Sequence, residues 1–90
     1  MFLGGCINAP EPIQPWAFAR TALDSARQVD APRLSPGHWH RAEEAYRKAQ
    51  ILYQEREFKE ATEYFMQAQL AAEKAENAAR YLKWKNGESL

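Results

Sequence analysis

The sequence predicts an all-α protein, a three-helix bundle with helices over about 16–30, 36–54 and 57–85. Apolar residues recur at alternating intervals of three and four through each stretch, the repeat of helices packed lengthwise on one another. The strongest helix breakers, Pro32, Pro36 and Gly87, fall at the ends of these stretches. No segment shows the alternation of a half-buried strand.

The first helix is read from Trp16 to Asp30, with Trp16, Ala19, Ala22, Ala26 and Val29 forming an apolar stripe and Leu23 beside them. Ala31-Pro32 ends it, because proline disfavours the α region at the residue before it. Ser35-Pro36 then offers a capping hydroxyl followed by a proline whose missing N–H costs nothing in a first turn. The second helix carries Trp39, Ala42, Tyr46, Ala49 and Tyr53 on one face, widened by Ala45 and Leu52. Glu55-Arg56-Glu57 is a short turn, and so short a link makes the second and third helices antiparallel neighbours.

The third helix has the longest seam, Phe58, Ala61, Phe65, Ala68, Ala72, Ala75, Ala79 and Leu82. Asn86-Gly87 supplies its stop. At 1.5 Å per residue it is about 42 Å long against about 28 Å for the second helix. Its last turns therefore overhang, carrying Tyr81, Leu82 and Trp84. The link 31–34 is expected to cover part of that overhang. Two readings of Trp84 stay open: a folded-back core residue over Leu34 and Val29, or an exposed interface residue.

Twelve basic and twelve acidic residues cancel, so the electrostatic footprint of a nucleic-acid binder is missing. A single cysteine, Cys6, excludes an internal disulfide and a zinc site built from several thiolates. His38 and His40 with Glu43 and Glu44 form the one cluster worth weighing as a metal site. His40 and Glu44 are one turn apart, but His38 points elsewhere and no further ligand converges on them. Neither a phosphate-cradling glycine loop nor a nucleophile with its base is visible. The reading is of a non-enzyme with no cofactor and no evident small-molecule substrate, and a metal-dependent enzyme is the distant alternative.

Residues 1–6, ending Leu3-Gly4-Gly5-Cys6, resemble a bacterial lipobox, in which the thiol of Cys6 is acylated and becomes the first mature residue. Only five residues precede Cys6, whereas a secretory signal needs a basic stretch and roughly 7 to 15 apolar residues. Either the natural start lies upstream of Met1 or the match is a coincidence, and the first is preferred. Ile7 after the cysteine then implies, by resemblance, delivery to the outer membrane. Residues 7–15 contain Pro10, Pro12 and Pro15 and are read as an extended spacer ahead of a helical domain at 16–86 and a tail at 87–90.

Ala49, Leu52, Phe58, Ala61, Phe65 and Ala68 resemble the small-large-aromatic-small-aromatic-small spacing of a tetratricopeptide hairpin. The match spans about one repeat, and Arg56 stands where that family places a small turn residue. Over most of its length the chain also resembles small Gram-negative envelope lipoprotein domains of unknown function, through Ala22 to Ala26, Ala31-Pro32 and Ala72-Glu73-Lys74-Ala75-Glu76. A microtubule-interacting-and-transport bundle is similar too, but the lipobox argues against it. These resemblances imply an architecture and a location, and no activity.

The expected function is therefore a lipid-anchored interaction or scaffolding module of the bacterial envelope, facing the periplasm. Its expected partner is another envelope protein or a second copy. Tyr81, Lys83, Trp84 and Lys85 are the expected contact residues, at the end of the domain away from the spacer. A soluble cytoplasmic tetratricopeptide-like adaptor is the alternative.

Overall fold

In the computed structural model, which describes residues 9–88, four helices follow one another: α1 (Ile13–Gln28), α2 (Ala31–Leu34), α3 (Pro36–Gln54) and α4 (Phe58–Lys85). The all-α expectation holds, and the three long helices match the three predicted ones. Two boundaries differ. Helix α1 starts at Ile13, so the end of the expected spacer is helical and Pro15 lies in the first turn. The first four N–H groups of a helix have no intrahelical partner, so a proline there removes nothing. The expected link 31–34 is a single helical turn, with Pro32 at its start.

Left-handed residues end the three long helices. Asp30 (φ 63) follows α1, Arg56 (φ 63) follows α3 and Gly87 (φ 75) follows α4. After α3, Arg56 N–H donates to Tyr53 C=O and Glu57 N–H to Leu52 C=O, closing the paired bonds of a Schellman cap. The same pair recurs after α4, from Gly87 to Trp84 and from Glu88 to Lys83. The unusual Arg56 thus occupies a position that favours glycine, with its guanidinium 5.1 Å from the Phe58 ring centre. Ser35 sits at the start of α3 as expected, but its hydroxyl makes no capping bond, because its backbone (ψ 62) departs from the extended form of a capping residue.

Helix α4 is the axis of the domain. Ala61, Phe65, Ala68, Ala72, Ala75 and Ala79 are all buried, and α1 and α3 both lie along this seam while touching each other much less. Small side chains allow that approach, since two helices close in only as far as the residues between them permit. Ala19 of α1 and Ala49 of α3 meet Ala61, Phe65 and Ala68 at one end. Leu23, Ala26, Val29 and Trp39 meet Ala72, Ala75 and Ala79 at the other. Helix α1 therefore runs parallel to α4, and α3 antiparallel to both. Larger groups bridge the helices beside the alanines: Tyr46 of α3 packs edge to face on Phe65 of α4 at 5.7 Å, and Arg27 of α1 stands 5.1 Å over Trp39 of α3.

Candidate docking surface

The seam determines what α4 presents to solvent. Helical positions between the buried alanines point away from the bundle, and there α4 carries Met66, Leu70, Asn77, Tyr81 and Trp84. The four apolar side chains among them are 53, 59, 56 and 70 % exposed in chain order. Tyr81 and Trp84 are one turn apart, and their rings lie 6.1 Å centre to centre at a tilt of 40°. Trp84 therefore does not fold back over Val29 and Leu34, and the core reading of this residue is corrected. The inward side of the overhang is covered instead by α2, whose Ala31 is buried and whose Leu34 packs against the alanines.

The four expected contact residues separate into two groups. Tyr81, Trp84 and Lys85 are exposed at the outer end of α4. Lys83 turns inward, its side chain 12 % exposed and its Nζ 3.2 Å from Asp30 Oδ2. The left-handed turn at Asp30 brings that carboxylate into position, where Arg33 also reaches it at 3.3 Å. These cations hold the Asp30 carboxyl below its ordinary value, the Lys83 hydrogen bond contributing most. Arg33 in turn bonds Glu88 at 3.0 Å, fastening the chain beyond α4 to α2. Lys83 is therefore part of the brace beneath the aromatic pair, and Lys85 remains beside it.

Met66 and Leu70 were not expected at the surface as a feature. The signal that finds them is the three-and-four spacing read a second time, on what remains of α4 after the alanine seam is removed.

Other candidate chemistry has little support. Arg41 Nη1 lies 3.2 Å from His38 Nδ1, and His40 Nε2 lies 3.4 Å from Glu44 Oε2, so the two imidazoles face different partners. Among the described residues no three His, Cys, Asp or Glu side chains gather as metal ligands. Two clefts open between α1 and α3, one of about 310 Å³ edged by Arg20, Arg27, Glu43 and Arg47, the other of about 260 Å³ lined by Ile13, Trp16, Tyr53 and Phe65. The first stands at the bottom of the ~300–1,000 Å³ range of small-molecule sites and the second falls below it. No described helix is long and apolar enough to cross a membrane. Cys6 and the lipobox residues before it lie outside the described residues.

Fold and surface together define a small helical domain with a packed alanine interior and an apolar outer stripe on its longest helix. The chain belongs to the DUF4398 family, a domain of unknown function, which matches residues 17–87. That span runs from the first turns of α1 through the cap of α4. No curated protein matches the chain, and no solved structure does.

Proposed function

We propose that the domain is a lipid-tethered protein-binding module of the bacterial cell envelope, without catalysis, that docks its partner on the outer end of α4. The observation that carries this reading is the Tyr81–Trp84 pair, two large aromatic side chains on an ordered helix, braced from beneath and left in solvent. Exposed aromatics on a rigid element are the residue type that dominates interface energetics. Lys85 supplies a rim charge, and Lys83 acts through the brace with Asp30. The tether rests on the lipobox-like Leu3-Gly4-Gly5-Cys6, whose resemblance implies acylation on Cys6, and on Ile7 after it, whose resemblance implies delivery to the outer membrane. The chain enters α1 at the end opposite Tyr81 and Trp84, which keeps the docking end clear of the tether. The antiparallel α3–α4 hairpin, with Ala49, Ala61, Phe65 and Ala68 in one cluster, supports a tetratricopeptide-like description of the scaffold.

Two measurements test the two halves. A photo-crosslinking residue at position 84, in the native host, is expected to form a discrete protein adduct that the same residue at position 57 does not; equal labelling at both sites would remove the docking surface. Intact mass of the mature protein is expected to show a diacylglyceryl adduct on Cys6, and an unmodified thiol would remove the tether.

A further inference from the structure

The outer stripe of α4 has an internal symmetry that the docking end alone does not reveal. Its apolar residues form two pairs, Met66 with Leu70 and Tyr81 with Trp84, separated by the polar stretch from Glu73 to Asn77. The pairs are equally far from the middle of that stretch. We propose that the partner docked on α4 is a second copy of this chain, lying antiparallel along the same face; this rests on the reading of that face as a docking surface.

The two-fold relation follows from the numbering. A copy turned end for end about the midpoint of the stripe sets Met66 against Trp84 of its mate and Leu70 against Tyr81. Thioether and aromatic ring are a favourable contact, and two apolar pairs close over one another on each side of the axis. Asn77 then faces the Glu73-Lys74 step of the mate, a single polar layer of the kind that fixes register in helix pairs.

Charge selects the antiparallel sense. The exposed Glu60 and Glu63 lie toward the start of α4, and Lys85 lies at its end. Turned end for end, Glu63 comes within side-chain reach of Lys85 on the mate, and Lys59 falls beyond the mate's last turn. A parallel pair instead places Glu63 on Glu63, Lys74 on Lys74 and Lys85 on Lys85, and like charges in register oppose pairing. The antiparallel pair keeps the approach of the two Lys74 side chains near the axis and, on its other flank, of the two Glu73 side chains. Self-pairing through the alanine seam is ruled out, since α1 and α3 already cover it.

The contact is modest. Met66 to Trp84 spans about 27 Å of helix, a strip smaller than the ~800 Å² per partner of a standard interface, so the pair belongs to the weak, reversible class. Tethering on one membrane raises the effective concentration of the copies, and such a pair then lies lengthwise with a spacer leaving from each end.

Sedimentation of residues 7–90 over a concentration series is expected to show reversible monomer–dimer exchange in the micromolar to millimolar range. Trp84→Glu and Met66→Glu are each expected to weaken it at least tenfold with helicity unchanged. The sense of pairing is read by disulfide trapping in that fragment, which lacks Cys6. A mixture of Leu70→Cys and Tyr81→Cys chains is expected to cross-link, and neither variant alone. Cross-linking of either variant with itself identifies a parallel pair and overturns the proposal, as does a dimer that both Glu variants leave intact. A monomer at every concentration, with position 84 still forming an adduct with a different protein in cells, refutes self-pairing and leaves the docking surface standing. A monomer with no adduct at position 84 refutes both.

Discussion

Lys83 of α4 reaches Asp30, the left-handed residue between α1 and α2, with Nζ 3.2 Å from Oδ2. One ion pair thus joins the C-terminal ends of two parallel helices and the turn that covers the overhang. Asp30 is lowered from its ordinary value of 3.8, by Lys83 first and by Arg33 second. A carboxylate whose folded value is depressed adds stability above its unfolded value, and that stability is lost as pH falls through the folded one. In Lys83→Met the Asp30 carboxyl is expected to titrate at higher pH than in the parent, followed by NMR of the side-chain carboxyl. An unchanged midpoint would show that the pair does not form in solution.

Phe65 is 1 % exposed and touches α1, α3 and the Tyr46 ring. Truncating a buried phenylalanine costs about 3–5 kcal/mol in transfer and cavity terms, and Phe65→Ala is expected to lose that amount in urea unfolding. A loss under about 1 kcal/mol would take Phe65 out of the seam.

Ala68 is fully buried in one cluster with Ala19 of α1 and Ala49 of α3. Ala68→Leu is expected to destabilise by about 1–3 kcal/mol, because the added methylenes find no space without moving a helix. If the melt is unaltered, the helices are not in close apposition at this level.

Tyr53 donates its hydroxyl to Glu11 Oε2 at 2.6 Å, pinning the segment ahead of α1 to the end of α3. That bond raises the phenol above its ordinary 10.0. For a group raised on folding, the added stability is complete below the unfolded value and disappears as pH climbs through the folded one. Glu11→Gln is expected to bring the Tyr53 midpoint down toward 10.0 in an NMR-resolved alkaline titration. An identical curve in parent and variant would mean the segment is not held there.

The long helices were legible because periodicity is a local property: the run from Ala61 to Ala79 marks its own inner face without reference to any other element. The start of α1 was not, because three prolines in nine residues signal an extended chain, and Pro15 is tolerated only because it falls in a first turn. Helix α2 has four residues, too few for any period to appear. Tyr81 and Trp84 were legible because α4 outruns α3, a difference in length written in the spacing of the helix breakers. The inward turn of Lys83 was hidden because its partner is placed by a left-handed residue 53 positions earlier in the chain.

The alanine interior has a calorimetric consequence. Among the described residues, eleven of the fifteen buried apolar side chains are alanine, which has no rotamer freedom to lose on folding and little hydrocarbon to shield from water. The heat-capacity increment of unfolding follows exposed hydrocarbon area, at about 12–15 cal/mol/K per residue for ordinary domains. This domain should fall below that range, with a correspondingly shallow denaturant slope. Its stability curve would then be broad and low, changing little between cold and warm surroundings, as suits a rod held together by backbone proximity more than by the bulk of its side chains.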